Sequence, residues 1–274
     1  MKSGGRRRNL HQGALVSVTE VFASADEPPT SGYSPDFQVV LPYQGLFGFQ
    51  VGRRFTLVDA NRTLFVSGGQ TFADSHPVPG LGHASLIVAP TPAVLQTLCD
   101  GTKPADHAAF RDASRTAGPR IRLMTHALRR ILTAEPEPLR GDELIMTALR
   151  EALGSGVERA PRNELRVVDR AKQVLHAFGF ERLTLDRISR EVGVTPTYLT
   201  QAFSQAEGVP LYRYQLNLRL NQALIEAPHR DDLTALALDL GFSSHGHFST
   251  AFKAAFGVSP SRYRDDPGCL ARVL

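Results

Sequence analysis

Residues Ala202–Tyr214 read AFSQAEGVPLYRY, and residues Ala251–Tyr263 read AFKAAFGVSPSRY. Shifted by 49 positions, seven of the thirteen coincide: Ala202, Phe203, Ala206, Gly208, Val209, Arg213 and Tyr214. The match continues upstream at a shift of 48, pairing Thr184 with Asp232, Leu185 with Leu233, Ile188 with Leu236, Val192 with Leu240 and Gly193 with Gly241. An internal repeat names the structural unit before any propensity does. Each copy reads as helix, tight turn, helix. Thr184 and Asp232 are N-caps ahead of apolar i, i+3, i+7 patterns. Leu185, Ile188 and Val192 share one face in the first copy, and Leu233, Leu236 and Leu240 do so in the second. Gly193 and Gly241 end these helices, where a left-handed residue is cheapest without a Cβ. Thr195 opens the next helix in one copy and Ser243 or Ser244 in the other. Tyr198, Leu199 and Phe203 are expected to face inward, as are Phe248 and Phe252. Two helices on a glycine turn have the geometry of a helix-turn-helix, whose second helix enters the DNA major groove.

The stretch Ile188–Leu199, the pair Arg219-Leu220 with Ala223, Gly241–Phe248, Phe252-Lys253, Phe256–Pro260 and Tyr263-Arg264 together resemble the DNA-binding domain of AraC/XylS-type transcription regulators. The resemblance runs from about residue 165 to 265. Gln201, Ser204 and Thr250 depart from basic residues usual in that family, and Pro210-Leu211 stands where the second copy has Ser259-Pro260. The resemblance implies a regulator with an N-terminal cupin-like effector and dimerisation domain, acting as a homodimer on double-stranded DNA, with RNA polymerase as a further partner.

The chain has 274 residues, 42% apolar content, a net charge of +4 and a pI near 9.3. That length accommodates two domains. From Arg166 onward, 13 Lys and Arg face 11 Asp and Glu, a net of only +2. The DNA-binding expectation therefore rests on the repeat and not on bulk charge. Cys99 and Cys269 suggest neither a disulfide framework nor a zinc knuckle, which favours a reducing cytoplasm. No apolar run is long enough to span a membrane.

The architecture expected is α+β: an N-terminal cupin-like β-barrel, a helical linker and a C-terminal all-α double helix-turn-helix domain. Residues 1–13, with Arg6-Arg7-Arg8, read as a disordered basic tail. Residues 14–102 read as the barrel, from β-rich runs at Leu15–Thr19, Phe37–Leu41, Gly45–Val51, Arg62–Val66 and Ser85–Ala89 separated by Gly and Pro breaks. Residues 103–156 carry two amphipathic helices, one with Ile121, Met124, Leu128, Ile131 and Leu132, the other with Leu144, Ile145, Ala148, Leu149 and Leu153, expected to couple and dimerise. Residues 157–163 form a linker, 164–266 the DNA-binding domain and 267–274 a tail. Between the two helical units, Leu211–Glu226 reads as a helical rod of about 24 Å at 1.5 Å per residue.

The candidate DNA-contacting residues are Thr195, Thr197, Thr200 and Gln201 on the first recognition helix, then Ser244, His245, Gly246, Ser249 and Thr250 on the second. Arg219, Lys253 and Arg262 are candidate phosphate contacts. Gln201 can pair bidentately with adenine, and the threonines can meet thymine methyl groups. Two heads one helical turn apart imply tandem half-sites. In the N-terminal part, Phe47, Phe49, Phe55 and Phe65 line an effector cavity or fill the core. Asp74, His76 and His83 are the one histidine–carboxylate set that could suggest a metal enzyme, but the His-x-His pair expected of a cupin oxygenase is absent from that region. No catalytic residue, cofactor or metal is expected, and the effector is an unknown small molecule. A constitutive dimeric regulator is the alternative.

Overall fold

The computed structural model describes residues 6–134, 138–154, 162–180 and 183–266. The chain divides into two compact units, residues 1–157 and 158–274. The expected linker at 157–163 falls almost wholly outside the described residues, as does the C-terminal tail.

The first unit is built on strands β1 (Arg6–Gln12), β2 (Val16–Ala23), β3 (Thr30–Ser34), β4 (Gln38–Val51), β5 (Arg54–Asp59), β6 (Arg62–Val66), β7 (Gln70–Ser75) and β8 (His83–Pro90). Helix α1 (Pro92–Leu98), a short 3-10 turn at Pro104–Asp106, α2 (Ala108–Asp112), strand β9 (Ser114–Thr116), α3 (Pro119–Ala134) and α4 (Pro138–Gly154) follow. All pairings are antiparallel, in the order β1-β2-β8-β4-β6-β9, with β5 and β7 also on β4 and β3 on β7. Among the described residues this path is open: β1 and β9 end it without pairing to each other. The all-β reading of this region thus takes the form of a nine-stranded sheet that bends over itself through β4.

That bend explains why two expected runs are one strand. Gln38–Gly45 pairs with β6 and β8, while Leu46–Val51 pairs with β5 and β7. The register slips between Pro42 and Gln44, and Gly45 follows at φ +76°. A bulge with a left-handed glycine turns a strand from one sheet direction to another. A Cβ on Gly45 would overlap the Gly82 carbonyl, so the two backbones meet there directly. The basic N-terminus is not a loose tail. Residues 6–12 pair with β2, and Arg8 reaches the fully buried Glu20 at 2.6 Å. Glu20 also accepts from the Tyr43 hydroxyl and from Arg129 Nε, both at 2.8 Å. Burial alone would raise the Glu20 carboxyl, but hydrogen bonds from Arg129, Tyr43 and Arg8 hold it below the usual range. One carboxylate thereby ties β1, β4 and α3 to β2, which supplies the partner that an isolated basic run lacks.

The second unit contains α5 (Arg162–Ala177), α6 (Leu185–Val192), α7 (Pro196–Glu207), α8 (Leu211–Glu226), α9 (Leu233–Asp239), α10 (His245–Phe256) and α11 (Pro260–Asp265). Helix α8 has the bounds read from the sequence. Val168, Ala171, Leu175, Ile188, Leu199, Phe203 and Tyr214 form the core around the first helix pair. Phe242, Phe248, Phe252, Phe256 and Tyr263 are buried around the second, with Phe252 meeting Phe248 and Phe256 edge-on and Phe242 and Tyr263 tilted against Phe248 and Phe252.

Candidate nucleic-acid interface

Both helix pairs begin and end on the residues the repeat singles out. Thr184 accepts from the Arg187 N–H at 3.2 Å, and Asp232 from those of Thr234 and Ala235 at 2.7 and 3.1 Å. Thr195 accepts from Tyr198 N–H at 3.3 Å and Ser244 from His247 N–H at 3.2 Å. These are equivalent caps on α7 and α10, and they satisfy donors that a helix start leaves orphaned. Gly193 and Gly241 stand at φ +81° and +75°. At Gly241 a Cβ would overlap the Phe180 carbonyl and crowd the Arg219 guanidinium. Only glycine fits that turn.

The caps orient two equivalent exposed faces. On α7, Leu199, Ala202, Phe203 and Glu207 are buried, whereas Thr197, Thr200 and Gln201 are exposed. On α10, Phe248, Phe252 and Phe256 are buried; His245, Gly246, Thr250 and Lys253 are exposed, and Ser249 is half-buried. Thr195, Ser244 and Arg262 also lie at the surface. Several of these groups are already engaged. The Thr200 hydroxyl donates to the Pro196 carbonyl at 2.9 Å, which leaves its methyl outward. The Ser249 hydroxyl lies 3.3 Å from His245 Nε2, and the Ser243 hydroxyl 3.0 Å from His247 Nδ1. Thr197, Gln201, Thr250 and Lys253 carry the least engaged polar atoms of the two faces.

Arg219 is half-buried, and its Nη1 donates to the Gly241 carbonyl at 3.2 Å, fastening the rod α8 to the turn after α9. Two expectations are corrected here. Tyr198 does not face inward; it is 43% exposed. Leu185, at 39% exposed, sits at the edge of its helix's apolar stripe. Tyr198 and His247 are the surface residues that sequence reasoning passed over. Each stands three places after a cap, and extending the 49-residue shift back from Ala202 finds the pair.

A model of the family described as a helix-turn-helix domain matches residues 188–266. Residues 188–266 are a helix-turn-helix domain. The chain is similar to the HTH-type transcriptional regulator ArgR of Pseudomonas aeruginosa, with 33% identity over 132 residues, 45% of this chain and 39% of that protein. It is also similar to the Msm operon regulatory protein of Streptococcus mutans, with 26% identity over 126 residues, 45% of each. A solved transcriptional regulator with an AraC-type domain from Chromobacterium violaceum is 29% identical, covers 39% of this chain and 96% of its own, and gives a TM-score of 0.36. The chain spans less than half the length of these two curated relatives.

The helix-turn-helix domain places most of the expected residues at the surface. Phe47, Phe49 and Phe65 are buried core side chains, and Phe55 is 46% exposed on β5, so the four do not line one cavity. His76 Nε2 lies 3.0 Å from His83 Nδ1, and His83 stacks on Phe47. Burial, with His76 beside it, holds the His83 pKa down to about 3. Among the described residues no three His, Cys, Asp or Glu side chains could hold a metal ion. A hollow of about 420 Å³ lies at the end of the sheet, where Phe37, Pro90, Leu95, Gln96 and Lys103 line it. Among the described residues no helix is long and apolar enough to cross a membrane.

Proposed function

We propose that this chain is a sequence-specific DNA-binding transcription regulator that reads tandem half-sites with α7 and α10. The observation that carries the reading is the duplicated helix pair: two equivalent caps, two glycine turns and two exposed polar helix faces joined by one rod. The rod measures about 24 Å from its sixteen residues at 1.5 Å each. Successive major-groove segments on one face of a duplex lie about 34 Å apart, so DNA that bends toward the protein brings them into reach of both helices. In this reading Thr197, Gln201, Gly246 and Thr250 face base edges, Lys253 and Arg262 meet phosphates, and Thr195 and Ser244 set the helix starts. The regulator works in the cytoplasm as a homodimer, and α3 and α4 supply its contact with the second copy.

The first unit performs no enzymatic step in this reading. It responds to a small molecule, and a hollow within the usual size range of ligand pockets is the place for it. An effector acts by binding one arrangement of the dimer better than another. Contact with RNA polymerase converts occupancy of the site into altered transcription.

Selection of bound sequences from a random duplex library by the purified chain tests the reading. Enrichment of paired half-sites one or two helical turns apart is the expected result. Salt-sensitive binding with no enriched sequence would refute sequence-specific reading by the unliganded protein.

A further inference from the structure

We infer that Tyr198 and His247 are an equivalent pair of neutral phosphate clamps, one on each recognition helix, gripping the same wall of two successive groove segments. This rests on the DNA-binding reading above and extends it to residues that reading leaves unused.

The placement follows from helix geometry. At about 100° per residue, Thr197, Gln201 and Ser204 cluster at the centre of the outward face of α7. Tyr198 then projects roughly 80° to one side, and Thr200 a similar angle to the other. Gly246, Thr250 and Lys253 occupy the corresponding centre on α10, with His247 and Ser249 on its flanks. A helix with side chains is about 10–12 Å across and the major groove about 12 Å wide, so central residues meet base edges while flanking residues meet the sugar-phosphate walls.

The two flanks differ in chemistry. On one, the Thr200 hydroxyl is bonded to its own helix and Ser249 is paired with His245. On the other, both residues carry a ring whose polar atom can donate outward, His247 when Ser243 donates to its Nδ1. The Tyr198 hydroxyl has no hydrogen-bond partner among the described residues, although its ring is over two-fifths exposed. Tyr198 thus packs its ring body partly against the helix and keeps its polar tip free for a partner at the surface. His247 is exposed and oriented by two contacts: Ser243 at Nδ1, 3.0 Å away, and the edge of Phe242, 5.5 Å between ring centres. A neutral imidazole that accepts from Ser243 at Nδ1 carries its proton on Nε2, the nitrogen aimed away from that contact. The same location thus holds a phenol in one head and an oriented imidazole in the other.

Neutral donors leave a signature that cations do not. A hydrogen bond to a phosphate oxygen adds affinity regardless of sequence, but a neutral donor displaces no condensed counterion. The test uses fluorescence anisotropy at about pH 8 with the full chain, a duplex recovered by the selection above and a scrambled duplex of equal composition, over a series of KCl concentrations. Tyr198→Phe and His247→Phe each remove a donor and keep a ring. Each is expected to weaken binding about fivefold on both duplexes, the typical net contribution of one solvent-accessible hydrogen bond. The ratio between duplexes and the slope against log[KCl] stay as in the parent. His247→Gln, which keeps an N–H donor, recovers most of its loss. Unchanged melting of the purified variants establishes that the fold is intact. Binding by Tyr198→Phe within twofold of the parent, or a loss confined to the selected duplex, overturns the clamp. In either case a parent that still discriminates between duplexes keeps the broader reading standing. A parent that does not discriminate overturns both.

Discussion

Lys172 and Glu207 form an ion pair at 2.6 Å inside the first helical unit, with only 2% and 4% of their side chains exposed. The Lys172 ammonium also lies 5.5 Å from the centre of the Tyr214 ring. The repeat gives this pair a built-in control, because position 207 corresponds to position 256, where the second unit places a buried phenylalanine. Replacing Lys172 by Met takes the ammonium at 2.6 Å away from a buried carboxylate. The cost of stranding one partner of a buried pair is about 3–5 kcal/mol. No solvent discount applies at this burial. At about 1.4 kcal/mol per decade, the lower bound corresponds to a 100-fold or greater rise in the opening equilibrium of the unit. Hydrogen–deuterium exchange of α5 and α7 amides, followed by mass spectrometry, reads that equilibrium directly and separates it from unfolding of the first unit. The double variant Lys172→Met/Glu207→Phe imports the second unit's solution, and it is expected to return exchange to within about tenfold of the parent, since apolar replacement of a buried pair is often neutral or stabilising. Exchange in Lys172→Met within threefold of the parent would refute the reasoning, because it would mean that the carboxylate is hydrated in place.

Two further outcomes separate structural from interfacial charge. Lys253→Ala is expected to weaken binding to all duplexes and reduce the salt slope by about one, whereas Arg219→Ala leaves the slope unchanged and lowers the melting temperature, because its guanidinium caps the Gly241 carbonyl. Anisotropy against KCl and thermal melting check both. Asp74 has its pKa raised to about 6 by burial, with Arg7 opposing the shift. An acid raised in the folded state binds its proton longer than the unfolded chain does, so stability falls as pH rises from about 4 to 6 and stays low above. Asp74→Asn is therefore expected to stabilise the first unit at pH 7.5, on the order of 2 kcal/mol, and to flatten that window in melts recorded across pH.

What the sequence made legible follows from how local each signal is. The caps Thr184, Asp232 and Ser259, the turn glycines and the bounds of α8 depend on neighbours within four residues, and all are where periodicity and capping place them. The errors lie where a distant partner decides. Arg6–Arg8 form a strand because Glu20 and β2 receive them. Phe37–Leu41 and Gly45–Val51 read as two runs, yet one continuous strand from Gln38 to Val51 carries both, bent at Pro42 to Gly45. Strands β3 and β7, TSGYS and QTFADS, lack the alternation that marks a half-buried strand, since they pair near an edge and bury little. A place three residues after a cap does not separate the flank of a helix from its buried face, which is why Tyr198 lies outward against expectation.

The two heads reach similar backbones by different chemistry, and that difference bears on how they read DNA. The second head is seated on a run of stacked aromatics from Phe242 to Tyr263, whose hydroxyl donates to the Leu224 carbonyl at 3.0 Å at the end of the rod. The first head is seated partly on the Lys172–Glu207 pair, which ties α7 back to α5. A buried pair fixes register between two helices through the direction of its bond, where apolar contacts allow sliding. In the proposed reading, positions 201 and 250 carry the discrimination between heads: a bidentate amide on a helix held in register in one, a small hydroxyl and methyl on an aromatic platform in the other. An asymmetric pair of half-sites, one demanding adenine and one tolerant of thymine-rich variation, is the target such a construction suits.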